Sequence, residues 1–484
     1  MEQSLLIELI RTLSTSEREQ LLQFAALPYI NHGRMKDYTL PLLKFCIDNF
    51  SSEKSQNLDK KVVYLQVFPN QEFVEGKLEK VMVDANKILR SFLLTQRYLR
   101  EDNAFFQQYD FAELIRVRGL LTRREQILGK LRKIKEEPDF GKHPNSLYYQ
   151  FLLENTLHLD ECYKNQKKGD LNVPNVIKAL DIYYLTNRIS TLNRFLLQQK
   201  ATKIEIPESL KSVIKGIKLP DDYSNYPVLQ ANFDIFNLLN KEVPNLSEIR
   251  ALFVLIKNEE QRLDEESLQE FYSYLRSLTI LLLASDVEQI EIDQTLHELY
   301  KDNLRRGYLH YEGKLHPSRY LAVSNNAIRI KNYDWAIEFI EKYKNDLIGE
   351  NESRDIYRMN LADYLFAVGR FEECLENIPP TSPFLDYQLK GKRLELKALY
   401  ELRSDLLPYK LDAFKMFLSR TSQKLLSEHQ RRIHGDFANF LNQLLHSIPG
   451  DKKRAERIEE RIREKKQSAE WRWLLEKAIE LGKS

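Results

Sequence analysis

Two short stretches constrain what this chain can fold into. Asn332-Tyr333-Asp334-Trp335-Ala336 runs into Ile337, Phe339, Ile340 and Tyr343, and Gly369-Arg370-Phe371-Glu372-Glu373-Cys374 runs into Leu375 and Ile378. In each, a short polar turn leads to an aromatic residue, and three residues later a small side chain, Ala336 or Cys374, opens the next apolar run. The aromatics Tyr333 and Phe371 lie 38 residues apart (371 − 333). That period belongs to stacked helix pairs, which cannot bury their apolar faces singly and so pile on one another. The stretch from His316 to about Arg420 therefore reads as two or three copies of one helical hairpin.

Composition agrees with long helices and few turns. Gly (15) and Pro (16) together make up about half of their usual share. Lys and Arg number 73 against 71 Asp and Glu, a formal charge of +2, so binding to a polyanion requires a local patch. Cys46, Cys162 and Cys374 are too far apart for a disulfide framework or a zinc site, which suits a reducing, cytoplasmic setting. The opening Met1-Glu2-Gln3-Ser4 has no basic region, and Glu8 and Arg11 interrupt the apolar residues behind it, so no signal peptide is expected. The longest apolar run, Leu278 to Ala284, is far shorter than the roughly 20 residues that span a bilayer, and no membrane partner is expected.

Taken in order, residues 1–100 read as an N-terminal helical segment. Leu5, Leu6, Leu9, Ile10 and Leu13 share one helical face, and Ser14 with Glu17 forms a capping box for the next helix. Asn57-Leu58-Asp59 opens a helix that runs to Pro69, and a long helix covers about 75 to 98. Residues 101–315 are divergent middle repeats, with helical patterns at 105–135, 145–165, 174–200, 227–240, 246–257, 265–283 and 292–307. The weakly patterned 201–226 reads as a loop or hinge, and one ring each of Tyr148-Tyr149 and Tyr183-Tyr184 is expected to pack between helices. Residues 316–450 hold the repeats and one further helix. Residues 451–484 form a charged capping helix with an apolar stripe at Ala455, Ile458 and Ile462 and an anchor at Trp471, Trp473 and Leu474.

Chemistry-bearing motifs are missing. No phosphate-binding glycine loop, H-E-x-x-H or G-x-S-x-G is present. His429 and His434 are five apart, off one helix face, and Asp286, Glu288, Glu291 and Asp293 lack calcium-loop spacing and read as a solvated loop. No enzyme activity, metal or cofactor is expected.

Residues 316–418 resemble tetratricopeptide-type repeats. Ser324 and Ala362 match the small residue of the first helix, and Ala336 and Cys374 that of the second; Ala398 and Ala413 serve in a third, poorer copy. Pro28-Tyr29-Ile30-Asn31, Asp334-Trp335-Ala336 and Trp473-Leu474-Leu475-Glu476-Lys477 also resemble features of a group of uncharacterised bacterial helical-repeat proteins. The first resemblance implies an all-α, right-handed α-solenoid of antiparallel helix pairs, closed by the C-terminal capping helix. It also implies a concave groove that binds a protein or peptide, with Asn325, Arg329, Asn360, Asp363 and Lys392 facing it. The lysine that related grooves carry one turn before the first asparagine is replaced by Leu321, which argues against capture of a C-terminal carboxylate. The alternative is a nucleic-acid-associated regulator using Lys452, Lys453, Arg454, Arg457, Arg461, Arg463, Lys465 and Lys466, although Glu456, Glu459, Glu460 and Glu464 interleave with those bases.

Overall fold

The computed structural model describes residues 1, 3–51, 59–100, 103–142, 145–164, 171–202, 204–223, 225–283, 289–311, 313–348, 353–380 and 385–483. The protein is all-α and repeat-like, with 23 α-helices among the described residues. No described helix is long and apolar enough to cross a membrane. A small two-stranded sheet accompanies the helices, His310–Tyr311 pairing antiparallel with Lys314–Leu315. It joins two helices, and Leu315 also bridges Leu347, so the connector's backbone groups find partners without a helix.

The helices gather into two compact units, Met1–Asn187 with Gln261–Asp264, and Arg188–Glu260 with Glu265–Ser484. In the first, five helices from Leu5–Thr12 to Lys77–Tyr98 share one core. The capping box forms as the sequence predicts: the Glu17 amide donates to Ser14 Oγ (3.3 Å) and the Ser14 amide to Glu17 Oε2 (2.7 Å). The Lys77–Tyr98 helix buries Leu78, Val81, Ala85, Ile88, Leu89 and Phe92, a single stripe at helical spacing. Asp59 caps Lys60–Val67; Asn57 and Leu58, read as part of that start, lie outside the described residues. The single pattern at 105–135 is in fact two helices, Ala104–Val117 and Leu121–Lys135. Gly119 (φ 76°) breaks it, because its left-handed backbone sends the chain back on itself. Tyr149 is buried against Phe105 and Phe106 while Tyr148 stays at the rim.

The second unit contains the repeats. Pro317–Arg329 pairs with Tyr333–Lys342, Ser353–Ala367 with Phe371–Asn377, and Leu385–Glu401 with Leu407–Arg420. All three hairpins turn alike. Lys331 (φ 59°), Gly369 (φ 81°) and Arg403 (φ 52°) are left-handed, and the next amide donates five residues back, Asn332 to Ala327, Arg370 to Leu365 and Ser404 to Leu399, each at 2.9 Å. This is the helix stop in which a left-handed residue lets the orphan carbonyls of the last turn be bonded. The third copy, ill-defined by its alanines, is thus fixed by its turn. Trp335 stacks on Phe339 (5.4 Å between centroids) and meets His297 edge-on (4.6 Å), but it is only half-buried.

The tail, expected as one helix, is two, Lys452–Glu464 and Trp471–Lys483. Between them the Ala469 amide donates to the Ile433 carbonyl (3.2 Å), and Glu470 takes a left-handed conformation (φ 55°). Ala455, Ile458 and Ile462 are the buried residues of the first tail helix, and Leu474, Ala478 and Leu481 those of the second. All six join the core that holds Phe437, Leu441 and Leu444. Among the described residues, the segment 201–226 carries a short helix, Glu208–Lys215, with no buried residue, and a 3-10 turn at Asp221–Tyr223.

Candidate partner-binding cleft

The equivalent turns fix the register of the repeat helices. Counting six residues back from each left-handed residue gives Asn325, Asp363 and Lys397, one position on three successive first helices. All three line a cleft of about 640 Å³ within the second unit. Tyr333, Phe366, Phe371 and Trp473 supply aromatic surface, and the start of the last helix closes one side with Glu470, Arg472, Trp473, Glu476 and Lys477.

Charge dominates this cleft. Lys390 pairs closely with Asp363 and donates to Asn325 Oδ1 (3.0 Å). Lys397 donates to Glu470 Oε2 (2.8 Å) and Arg393 to Glu470 Oε1 (3.2 Å). The Lys397 ammonium also sits over the rings of Phe366 (4.4 Å) and Trp473 (5.7 Å), where the ring quadrupole favours a cation. Trp473 Nε1 donates to Glu401 (2.8 Å), which Lys477 also reaches (2.9 Å). Arg329 pairs with Asp293 (2.6 Å).

Burial and charge act against each other at these groups. Burial would raise the Glu470 carboxyl, but Lys397 and Arg393 outweigh it and hold the group well below the usual carboxylate range. At Lys390 burial prevails over Asp363 and lowers the ammonium. His434, behind Arg393, accepts from its Nη1 on Nδ1 (3.3 Å); burial, and then the Arg393 charge, push its pKa down to about 4. His434 is therefore neutral at neutral pH.

Two cations are left over. Arg472 and Lys331 line the cleft and are exposed, and neither meets a carboxylate at ion-pair distance among the described residues. Arg472 lies over the Trp471 ring (5.5 Å) and also borders a neighbouring hollow containing Asn325, Arg329 and Asp293.

Of the residues expected to face a groove, Asn325, Arg329 and Asp363 come together here. Asn360 does not line the cleft. It is 0% exposed, accepting from Ser324 Oγ (2.6 Å) and donating to the Ile356 carbonyl (2.8 Å), so it ties one hairpin to the next. Lys392 lies about 200° round its helix from Lys390. It borders another hollow, with its ammonium over Phe417 (4.8 Å). Lys390, Lys397, Glu470 and Arg472 were missed in the sequence.

No group of three His, Cys, Asp or Glu stands ready for a metal among the described residues. Cys46 and Cys374 are buried and pushed up to about 12, hence protonated. His316 caps the Pro317–Arg329 helix, accepting from the Ser318 amide (3.3 Å). The acidic cluster read as a solvated loop is corrected in part: Asp293 is a buried helical residue paired with Arg329, while Asp286 and Glu288 lie outside the described residues. No family model matches the chain, and neither the curated proteins nor the solved structures compared with it give a match.

Proposed function

We propose that the protein is a non-catalytic binding scaffold that holds an extended segment of a protein partner in this cleft. In this reading the hairpins stack as a right-handed, tetratricopeptide-like solenoid, the tail caps its last repeat, and the setting is cytoplasmic. One observation carries the reading: the cleft combines an aromatic lining with two cations, Arg472 and Lys331, that meet no carboxylate at ion-pair distance among the described residues. A segment bearing an acidic side chain supplies the missing charge, and its apolar side chains meet Tyr333, Phe366 and Phe371. Hydrogen bonds to a charged group are the stronger kind, so Arg472 is the residue on which affinity should depend most.

The nucleic-acid alternative draws less support. Along the tail Arg463 pairs with Glu459 (2.7 Å), Lys465 with Asp436 (2.7 Å), and Arg461 donates to Gln443 (3.0 Å). Bases held this way release few counterions on a phosphate backbone. Affinity capture with the full chain at low and high salt, beside Arg472→Glu, tests the proposal. It expects a protein retained at high salt and lost from Arg472→Glu. Retention of nucleic acid at low salt alone, equal for both chains, would overturn it.

A further inference from the structure

The first unit holds a second surface, unrelated to the repeat cleft. Helices Ala104–Val117 and Leu121–Lys135 turn their inner faces (Phe105, Ala112, Leu128 and Leu131) into a core with Tyr149, Leu153 and Leu157. Their outer faces enclose a groove of about 680 Å³. Ile115, nearly buried, forms part of its floor with Ile127, and Phe111 and Leu120 are each 52% exposed along it. Leu114, Val117 and Leu121, also well exposed, extend the apolar surface past the turn. A contiguous apolar patch of this kind is unfavourable in water unless something covers it.

The rim states the sign of what covers it. The Leu121–Lys135 helix carries six basic residues against the single acid Glu125. Arg124 is taken up by Glu113 and Asp160, and Lys135 by Glu154. Arg123 donates only to the neutral Gln126 (3.1 Å), and Lys130 and Lys133 meet no carboxylate among the described residues. Those three flank the apolar floor.

Gly129 adds a third observation. A glycine inside a helix costs about 1 kcal/mol relative to alanine, yet a Cβ built here meets nothing within 4 Å, so core packing does not demand it. It lies in the groove wall, where the missing side chain leaves room for a ligand.

We propose that this groove docks an acidic amphipathic helix of a partner protein. Its apolar residues, recurring at three- and four-residue intervals, seat over Ile115, Ile127, Phe111 and Leu120, and its glutamates and aspartates face Arg123, Lys130 and Lys133. Two helices of 14 and 15 residues present about 21 Å of groove, enough for about four turns of a third helix. A lipid surface suits the geometry less well, because Ile115 on the floor is nearly buried, within reach of an inserted side chain but not of a flat bilayer.

The test uses the full chain and a series of stapled helical peptides that share one Leu/Phe face and vary the opposite face from all-glutamate to all-lysine. Vesicles of phosphatidylserine and phosphatidylcholine form a parallel arm. The glutamate-faced peptide should bind, and the lysine-faced one should bind at least about tenfold more weakly. The double charge reversal Lys130→Glu/Lys133→Glu, at exposed positions, should reverse that preference, and Gly129→Trp should abolish binding to either while the circular dichroism spectrum stays that of the parent. Equal binding of both peptides, binding of neither, or indifference to the charge reversal overturns the proposal. Vesicle binding lost in Leu120→Asp, without peptide binding, assigns the surface to a membrane instead and also overturns it.

Discussion

The Glu470 carboxylate lies 2.8 Å from the Lys397 ammonium, across 73 residues of chain. One comes from the tail and the other from the third repeat's first helix. Arg393 shares the same carboxylate at 3.2 Å, so a single acid from the tail pairs with two cations at the cleft wall. Glu470 does so from a left-handed backbone (φ 55°), a conformation that costs a non-glycine residue about 1 kcal/mol or more. The ion pairs and the packing around them hold that conformation in place.

Removing this carboxylate leaves two largely buried cations without their partner. Glu470→Ala should lower stability by about 3 kcal/mol, the usual loss when one side of a buried pair is deleted. Glu470→Gly removes the same charge but tolerates the backbone, and should be milder by about 1 kcal/mol. Urea unfolding of the three chains checks both statements. Equal losses would mean that the left-handed conformation is not retained in solution.

The helices were legible in the sequence because apolar spacing determines which faces are buried; Leu78 to Phe92 is the clearest case. The second repeat's turn was legible because Gly369 marks it. The first repeat's turn was legible from the polar run Asn332-Tyr333-Asp334, although not its left-handed residue Lys331; the turn at Arg403 was not, since an arginine in a left-handed conformation leaves no compositional trace. That is why the third repeat was placed from Ala398 and Ala413, and why the expected groove residue on it was Lys392. Ala413 is exposed and marks no helix contact. One side of the cleft was out of reach for a second reason: Glu470 and Arg472 arrive from the far end of the chain, and only tertiary docking brings them in.

The shared turn makes a prediction of opposite signs at two equivalent positions. Gly369→Ala places a side chain at φ 81° and should cost about 1 kcal/mol, whereas Arg403→Gly relieves φ 52° and should be neutral or stabilising by up to about 1 kcal/mol. Thermal unfolding distinguishes them. Destabilisation of similar size in both chains would contradict the equivalence.

His434 should make the fold acid-sensitive. Its folded pKa, about 4, lies below the ordinary value of 6.5, so the unfolded chain binds more protons in that window. Stability is therefore greatest above 6.5, falls as pH drops toward about 4, and levels off below for this group. The loss should be about 2–3 kcal/mol, the partial exposure of the ring screening the full effect. His434→Gln keeps an acceptor for Arg393 but cannot titrate, and should flatten the slope in that range. An unchanged slope would place the titrating group elsewhere.

The tail should be needed for folding. Ala455, Ile458, Ile462, Leu474, Ala478 and Leu481 cover a core that includes Phe437, Phe440, Leu441 and Leu444. Deleting 451–484 uncovers those side chains and removes Glu470 as well. The truncated chain should aggregate or lose cooperative unfolding; a monodisperse, cooperatively folded product would show the tail to be an appendage.

The central claim is that the cleft, and not the basic tail, meets the partner. Site-specific photo-crosslinking measures this directly, with the reactive residue placed at Tyr333 in the cleft or at Lys453 on the tail. The account predicts a polypeptide adduct from Tyr333 that Arg472→Glu suppresses, and none from Lys453. A nucleic-acid adduct from Lys453, with none from Tyr333, would contradict it.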